Sequence, residues 1–212
     1  MARGSTWVRS AGNARRTSLL GLILLAGAFA AMPAPAPAAE LFKLDQRYGS
    51  IAFSVSNLGL FRSHGDFARF AGRLTIDPAH PAATRIDVTV ASRSVNTPWP
   101  QETAMLRSAD FFNVARYPDI RFASEQVLTA GPGRYVISGR LTLRGQTRPV
   151  TLRAHLVRAA RDKATGREID DFIVTGSLSR KAFGMTADPL FVSDRVMISI
   201  HARIILASPH DG

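Results

Sequence analysis

The residues of this chain that could do acid–base, nucleophilic or metal chemistry are few and scattered. The chain has no cysteine, no G-x-S-x-G elbow and no phosphate-binding loop. Its five histidines are His64, His80, His155, His201 and His210. None of them forms the i, i+4 pair of a helical metal site. His64 and Asp66 are the best acid–base candidates, and we expect them in a surface turn. Asp170 and Asp171 are adjacent in a predicted strand, so their carboxyl groups point to opposite faces. The sequence predicts no catalytic residue and no metal ligand.

Alternating apolar and polar residues predict that most of the chain forms β-strands. Ile51, Phe53 and Val55 begin the first such run, and the longest extends from Val196 to Ile204. The pattern predicts eight or nine antiparallel strands joined by short turns, which form either a closed barrel or a two-sheet sandwich. A membrane barrel is a third alternative. The lack of aromatic girdles at the strand ends and the charged residues on one face of several strands argue against it.

One segment departs from the strand pattern. In LRSADFFNVARYPDIRF, Leu106–Phe122, the spacing of Met105, Ala109 and Phe112 predicts a helix that Pro118 stops, with strand alternation resuming at Asp119. Whether this helix is a plug at one end of the β-domain or a functional lid is left open by the residues alone.

The N-terminus has the layout of a secretory signal. Four arginines without an acid precede an apolar run from Leu19 to Met32, which is followed by PAPAPAAE. Residues 1–38 are therefore predicted to be a signal peptide cleaved after Ala38, and residues 39–212 a single domain. The apolar run is shorter than the roughly 20 residues of a membrane anchor. The pair Arg15-Arg16 leaves Sec and twin-arginine export undecided.

The charge of the chain argues against nucleic-acid binding. Without the four leader arginines, 23 of the 27 cationic residues remain against 16 acidic ones, so the formal charge falls from +11 to +7. These cationic residues are spread singly along strands, without a basic run or interleaved aromatic residues. A mild attraction to anionic surfaces, and hence peripheral contact with a membrane, is compatible with this pattern.

The order of several motifs resembles the YceI-like family, the polyisoprenoid-binding, lipocalin-like proteins secreted by bacteria. The matching pieces are FKLDQRYGSIAFSVSNLG, GDFARFAGRLTIDPAHPAATRIDVTVASRSVNT, LRSADFFNVARYPDIRFAS, GRLTLRGQTRPVTL, SLSRKAFGM and VSDRVMISIHARI. The resemblance covers about residues 41–206. It implies an all-β fold, an extended antiparallel eight-stranded lipocalin-like barrel with a short helical segment near the opening. The chain departs from the family at Asn57, where a histidine is common.

The resemblance also implies an apolar barrel interior that holds a polyisoprenoid, an isoprenoid quinone or another long-chain lipid. The candidate contacts for the apolar tail are Phe53, Val55, Val88, Val90, Met105, Phe111, Phe112, Phe122, Phe172, Phe183, Met185 and Met197. Candidates for a polar head group are Arg62, His64, Arg107 and Arg116. Each buried methylene contributes about 0.8 kcal/mol, so we expect the tail to set the affinity.

The predicted function is a periplasmic, non-enzymatic lipid-binding protein that transports, stores or protects its cargo and requires no cofactor. Two alternatives stay open: a partner-binding module for a membrane redox system, with a filled barrel, and an enzyme acting on a lipid. The sequence does not decide whether the protein forms a homodimer.

Overall fold

The computed structural model describes residues 40–76, 80–188 and 190–206. The predicted signal peptide and His210 lie outside the described residues. The strands are β1 Glu40–Leu44, β2 Ser50–Asn57, β3 Phe61–Phe67, β4 Phe70–Ile76, β5 Arg85–Ala91, β6 Val95–Asn96, β7 Asp119–Thr129, β8 Arg134–Leu143, β9 Gln146–Arg161, β10 Glu168–Ser179 and β11 Val192–Leu206. The helix α1 is Pro100–Arg107, and short 3-10 turns occur at Pro81–Ala83, Ser92–Ser94 and Lys181–Phe183. None of these described helices is long and apolar enough to span a membrane.

The strands form a closed antiparallel barrel with eight positions around its ring. β1 and β2 together occupy one position because both pair with β11, Leu44 opposite Ile204 and Ile51 opposite Ile200. β3 and β4 share the next position, and β5 and β6 the one after. β7 to β11 complete the ring by successive antiparallel pairing. The eight-stranded barrel expected from the sequence is thereby confirmed.

The chain connections divide between the two ends of the barrel. One end carries the turn at residues 58–60, the segment 97–118 with α1, the turn at 144–145 and the connection 180–191. We call this the helical end. The other end carries the turns at 130–133 and 162–167 and the region around Pro81–Ala83.

The helix lies earlier in the chain than the sequence pattern predicts. It begins at Pro100, a residue suited to the first helical turn, and ends at Arg107 because Ser108 takes an extended conformation (φ −66°, ψ 173°). Residues 109–117 form turns instead of the predicted helix. The strand does resume at Asp119, as predicted.

The interior is filled differently in the two halves of the barrel. Away from the helical end, a compact cluster contains Val127, Ile137, Leu152, Ala154 and Val174. Toward the helical end, the core contains the aromatic rings of Phe67, Phe70, Phe112 and Phe183 and continues into a cavity. The barrel is therefore packed in one half and hollow in the other.

Candidate ligand-binding cavity

The hollow half contains a cavity of about 270 Å³. This volume lies near the lower limit of the range of about 300–1,000 Å³ that is typical of small-molecule sites. Inward-facing residues of β2, β5, β7, β8, β9 and β11 supply its wall; among them are Ile51, Val88, Ile120, Leu141, Val150 and Ile198. Because each strand presents alternate residues to the interior, the wall is almost wholly apolar.

Three phenylalanine rings form one side of the wall. The ring centroids of Phe53, Phe67 and Phe112 are 5.6, 6.1 and 5.4 Å apart in pairs, and the contacts of Phe112 are edge-on. Such tilted arrangements are the favourable ones for aromatic pairs. Phe112 belongs to the segment after α1, so this cluster fixes that segment against β2 and β3.

The segment from α1 to Val114 covers the cavity at the helical end. Met105, Leu106, Phe111 and Phe112 all line the cavity, and both phenylalanines are buried. Backbone hydrogen bonds fold the segment back on the helix: the amide of Phe112 donates to the carbonyl of Leu106, and that of Val114 to Arg107. The start of α1 is held by Thr103, whose hydroxyl accepts from the amide of Thr97 at 3.0 Å.

A buried arginine organises the connection 180–191, which supplies Met185 to the cavity wall. Arg180 is 3% exposed. Its guanidinium donates to five backbone carbonyls, those of Met185, Ala187, Asp188, Val192 and Ser193. Arg180 also borders the cavity. Because its donors are engaged by this connection and by the first two residues of β11, its role is structural.

Polar groups reach the cavity at the helical end. Asn57 of β2 and Ser63 of β3 are diagonal neighbours across the strand pair, and the Asn57 side-chain amide donates to the Ser63 hydroxyl at 2.7 Å. The other amide atom, Asn57 Oδ1, is buried without a hydrogen-bond partner. The carboxylate-bearing Glu102 of α1 also borders the cavity and is half-buried. An uncharged hydrogen-bonding pair therefore lies at the edge of an apolar space.

Most of the residues predicted to contact an apolar tail come together around this cavity. The nine that line it are Phe53, Val55, Val88, Val90, Met105, Phe111, Phe112, Phe122 and Met185. Their contact with a ligand stays a prediction.

Three predicted tail contacts lie elsewhere, and the structure corrects their placement. Phe172 belongs to the packed half, where its ring is 6.1 Å from that of Tyr135. Phe183 is 2% exposed and fills the core beneath its 3-10 turn. Met197 alternates with the cavity-lining Val196 and Ile198, so its side chain lies on the outer face and is 43% exposed.

None of the four residues predicted for a polar head group lines the cavity. Arg62 and His64 are exposed and alternate with the inward Ser63 on β3. Arg107 donates from its guanidinium to the carbonyl of Val95 at 2.9 Å. Arg116 lies over the ring of Tyr117, 5.4 Å from its centroid.

A buried charge pair lies outside the cavity. Arg203 of β11 makes a bidentate pair with Asp171 of β10, with N–O distances of 2.7 and 2.9 Å, and Asp171 is 4% exposed. The hydrogen bonds from Arg203 hold the pKa of the Asp171 carboxyl below its usual value. Burial raises the pKa of the neighbouring Asp170. Among the described residues, no group of three or more His, Asp or Glu side chains is arranged to hold a metal ion.

The polar part of the site could not be recognised from the sequence. Asn57, Ser63 and Glu102 are residue types that usually face solvent, and only the pairing of β2 with β3 places the first two at the cavity. One signal in the sequence was available. Asn57 follows Ile51, Phe53 and Val55 at alternate positions of β2, so its side chain is expected to point to the same inner face.

Comparison with known proteins agrees with the barrel fold. Protein YceI of Escherichia coli O157:H7 is 36% identical over 173 residues, which cover 82% of this chain and 89% of that protein. The crystal structure of Burkholderia cenocepacia BcnA superposes with a TM-score of 0.66 at 22% identity, over 78% of this chain and 99% of that one. A domain of Saccharophagus degradans, described as a polyisoprenoid binding domain, gives a TM-score of 0.59 at 15% identity, over 79% of this chain and 98% of that one.

The match to a family model extends over nearly the whole of the described barrel. It runs from residue 42 to residue 204, from β1 to β11, and the model is that of the YceI-like domain. The chain belongs to the YceI-like domain family.

Proposed function

We propose that this protein is a non-enzymatic lipid-binding protein of the periplasm that holds an isoprenoid chain, a polyisoprenoid or the tail of an isoprenoid quinone, in the hollow half of its barrel. The observation that carries the proposal is the cavity of about 270 Å³, whose wall is formed by aliphatic, aromatic and methionine side chains. The name of the Saccharophagus degradans domain, which shares the fold, supports the same class of ligand.

The composition of the wall suits a long, flexible and apolar ligand. Burial of two or three isoprene units would contribute on the order of 10 kcal/mol before the costs of association. Met105 and Met185 have flexible side chains that fit irregular chains, and both lie next to the loops of the helical end. A longer chain would be admitted by movement of these side chains and of the segment after α1.

The head group would lie at Asn57 and Ser63. Asn57 Oδ1 offers a buried acceptor, and the hydroxyl of Ser63 is adjacent. An uncharged head with a hydroxyl or amide donor would satisfy this acceptor. The cationic residues predicted from the sequence to meet the head lie away from the cavity, so a charged head would find no guanidinium or ammonium group along the described wall other than the fully engaged Arg180.

The test is the identity of whatever the exported protein carries. The protein would be purified from the periplasmic fraction without detergent, extracted with organic solvent and examined by mass spectrometry, with native mass spectrometry of the intact complex in parallel. We expect one dominant isoprenoid species in roughly stoichiometric amount. Recovery from the cytoplasm, or repeated recovery without lipid and without uptake of added prenyl quinones, would contradict the proposal.

Two neighbouring positions on β11 give a matched pair of variants. Ile198→Trp adds a large ring to the cavity, and Met197→Trp adds the same ring to the outer face. We expect Ile198→Trp to lose most of the bound lipid while keeping a cooperative unfolding transition, and Met197→Trp to retain it. Equal retention by both variants would show that the lipid is bound elsewhere.

A further inference from the structure

Five large, exposed apolar side chains lie in two adjoining loops at the helical end. Leu58, Leu60 and Phe61 in the β2–β3 turn are 59%, 79% and 70% exposed, and Leu190 and Phe191 before β11 are 83% and 58% exposed. The two loops are joined directly. The amide of Leu58 donates to the carbonyl of Phe191 at 2.9 Å, and Asn57 is paired with Phe61 on one side and Val192 on the other. We call these five residues the apolar rim.

The backbone at the apolar rim is held in an unfavourable conformation. Leu58 has a φ of 51° and is followed by Gly59 at 71°, with the amide of Leu60 donating to the carbonyl of Asn57. A hairpin turn with two positive φ values usually has Asn or Asp before the glycine, whereas a leucine there is costly. The turn nevertheless displays three large apolar side chains to solvent within four residues, which indicates that their exposure serves a purpose.

The apolar rim borders the mouth of the cavity. Asn57 and Val192, which adjoin the rim in β2 and β11, both line the cavity. Trp99, which is 70% exposed, precedes α1 at the same end, and Met105 of α1 lines the cavity while 43% exposed. Exposed leucine, phenylalanine and tryptophan are the residues that enter the interfacial layer of a bilayer.

Cationic groups accompany the apolar rim. Arg62 directly follows it and is exposed. At the same end, Arg144, Arg148 and Lys181 surround a mainly polar surface cleft of about 300 Å³. Two acidic residues lie nearby in the chain: Asp194 of β11 accepts hydrogen bonds from Ser179 and from the amide of Lys181, and Asp188 of the connection 180–191 is exposed. An end of the barrel that carries both an apolar rim and basic side chains is complementary to a bilayer that carries anionic phospholipid.

We infer that the apolar rim is a membrane-docking surface, and that its partner is the surface of a bilayer containing anionic phospholipid. Docking in this orientation puts the cavity mouth against the bilayer, so that an apolar chain passes between them without crossing water. The purpose of docking rests on the proposed lipid-binding function, but its occurrence is measured independently of any cargo.

The experiment is sedimentation of the purified protein with vesicles of phosphatidylcholine alone or of an equimolar mixture with phosphatidylglycerol. We expect binding to the mixed vesicles and several-fold weaker binding to phosphatidylcholine. Leu60→Glu and Leu190→Glu should each reduce the affinity for mixed vesicles tenfold or more. The matched control is Leu128→Glu on β7, which changes a side chain that is 46% exposed but lies at the opposite end, and it should bind like the wild type.

The outcomes separate docking from cargo binding. If the wild type stays in the supernatant with both vesicle types, or if Leu128→Glu loses as much affinity as the rim variants, docking through the rim is wrong. Equal binding to both vesicle types overturns the assignment of an anionic surface. Lipid extracted from each variant is quantified in parallel, and the rim variants should keep their cargo. Docking without any cargo would contradict only the proposed function.

Discussion

The side chain of Asn57 offers a buried hydrogen-bond acceptor at the cavity. Its Oδ1 atom is buried at the cavity without a hydrogen bond, and such atoms in native proteins are usually satisfied by water or a ligand. A histidine is common at this position in the family that the sequence resembles. The asparagine keeps a hydrogen-bonding group at this position but removes the imidazole, and with it a group that titrates near neutral pH.

Replacing both members of the Asn57–Ser63 pair should change ligand choice more than stability. In the double variant Asn57→Leu and Ser63→Ala, no polar partner is left behind, so we expect a small change in the free energy of unfolding. A net hydrogen bond of about 0.5–1.5 kcal/mol should be lost from a prenyl alcohol but not from a hydrocarbon of equal length. The ratio of the two affinities, measured by competition, should fall by about two- to twelvefold.

The control for this prediction is Ser56→Ala, which changes the same kind of hydroxyl on the opposite face of β2. It should leave the ratio unchanged. If the double variant also leaves the ratio unchanged, the head group does not lie at Asn57.

Asp171 should make the protein sensitive to acid. Because Arg203 lowers the pKa of the Asp171 carboxyl in the folded state, the pair stabilises the fold above the unfolded pKa of about 3.9, and this stabilisation disappears as the pH falls through the lower folded pKa. Asp171→Asn should cost about 3 kcal/mol at pH 7, the lower end for removing one partner of a buried pair. The difference between variant and wild type should shrink below about pH 4.

Urea unfolding at a series of pH values measures this difference. Asp119→Asn, which removes an exposed pair with Arg121, is the control and should cost at most about 1 kcal/mol. A cost for Asp171→Asn that is independent of pH would contradict the assignment.

Alternation along a strand predicts which side chains face inward. The barrel places Val55 and Val88, two of the predicted tail contacts, on the cavity wall, and their contact with a ligand stays a prediction. Met197 has the opposite parity to Val196 and Ile198 of its own strand, and its side chain lies on the outer face. Polar residues at inward positions, such as Asn57, cannot be distinguished from surface residues by their type alone. The strand pairing is needed to show that they face the cavity.

At the scale of elements, Arg180 replaces a conventional secondary structure in the connection 180–191. One guanidinium donates to five carbonyls, three in this connection and two at the start of β11. Arg180→Met should release these carbonyls to water and loosen the connection, at a cost of about 2–3 kcal/mol. Met185 would leave the cavity wall, so lipid retention should fall as well.

Limited proteolysis and chemical denaturation measure the two effects of Arg180→Met. Arg148→Met is the control, because Arg148 is exposed and donates to the single carbonyl of Ala182. Cleavage of the connection at the same rate in both variants would show that Arg180 does not organise it.

The helix shows where a local pattern misleads. Met105, Ala109 and Phe112 have helical spacing, but a helix through them would have to continue past Ser108, where the backbone is extended. Phe112 reaches the core by the folding back of the chain onto Leu106 instead. Strand β3 has no regular apolar alternation in the sequence, because Ser63, His64 and Gly65 interrupt it. The position of β3 in the barrel follows from its pairing with β2, and the sequence of β3 alone does not specify this pairing.

At the scale of the whole molecule, the packed and hollow halves should differ in local stability. Amide hydrogens near Ile137 and Val174, in the packed half, should exchange slowest because their opening requires disruption of the core. Amides at residues 58–60 and 180–191 should exchange fastest. Bound lipid should slow exchange in the hollow half and leave the packed half unchanged. Hydrogen exchange with mass spectrometry of loaded and delipidated protein measures this, and a uniform slowing would contradict it.

The filled half of the barrel has a kinetic consequence. Because the packed half closes one end of the cavity, a bound chain has one route, at the helical end. A chain that enters there leaves by the same route and in reverse order. The protein therefore cannot bridge a donor and an acceptor at the same time, as an open tube would. Donor and acceptor must bind one after the other at the helical end, so transfer should follow ping-pong kinetics. An excess of either one should slow exchange, because it occupies the binding face that the other needs.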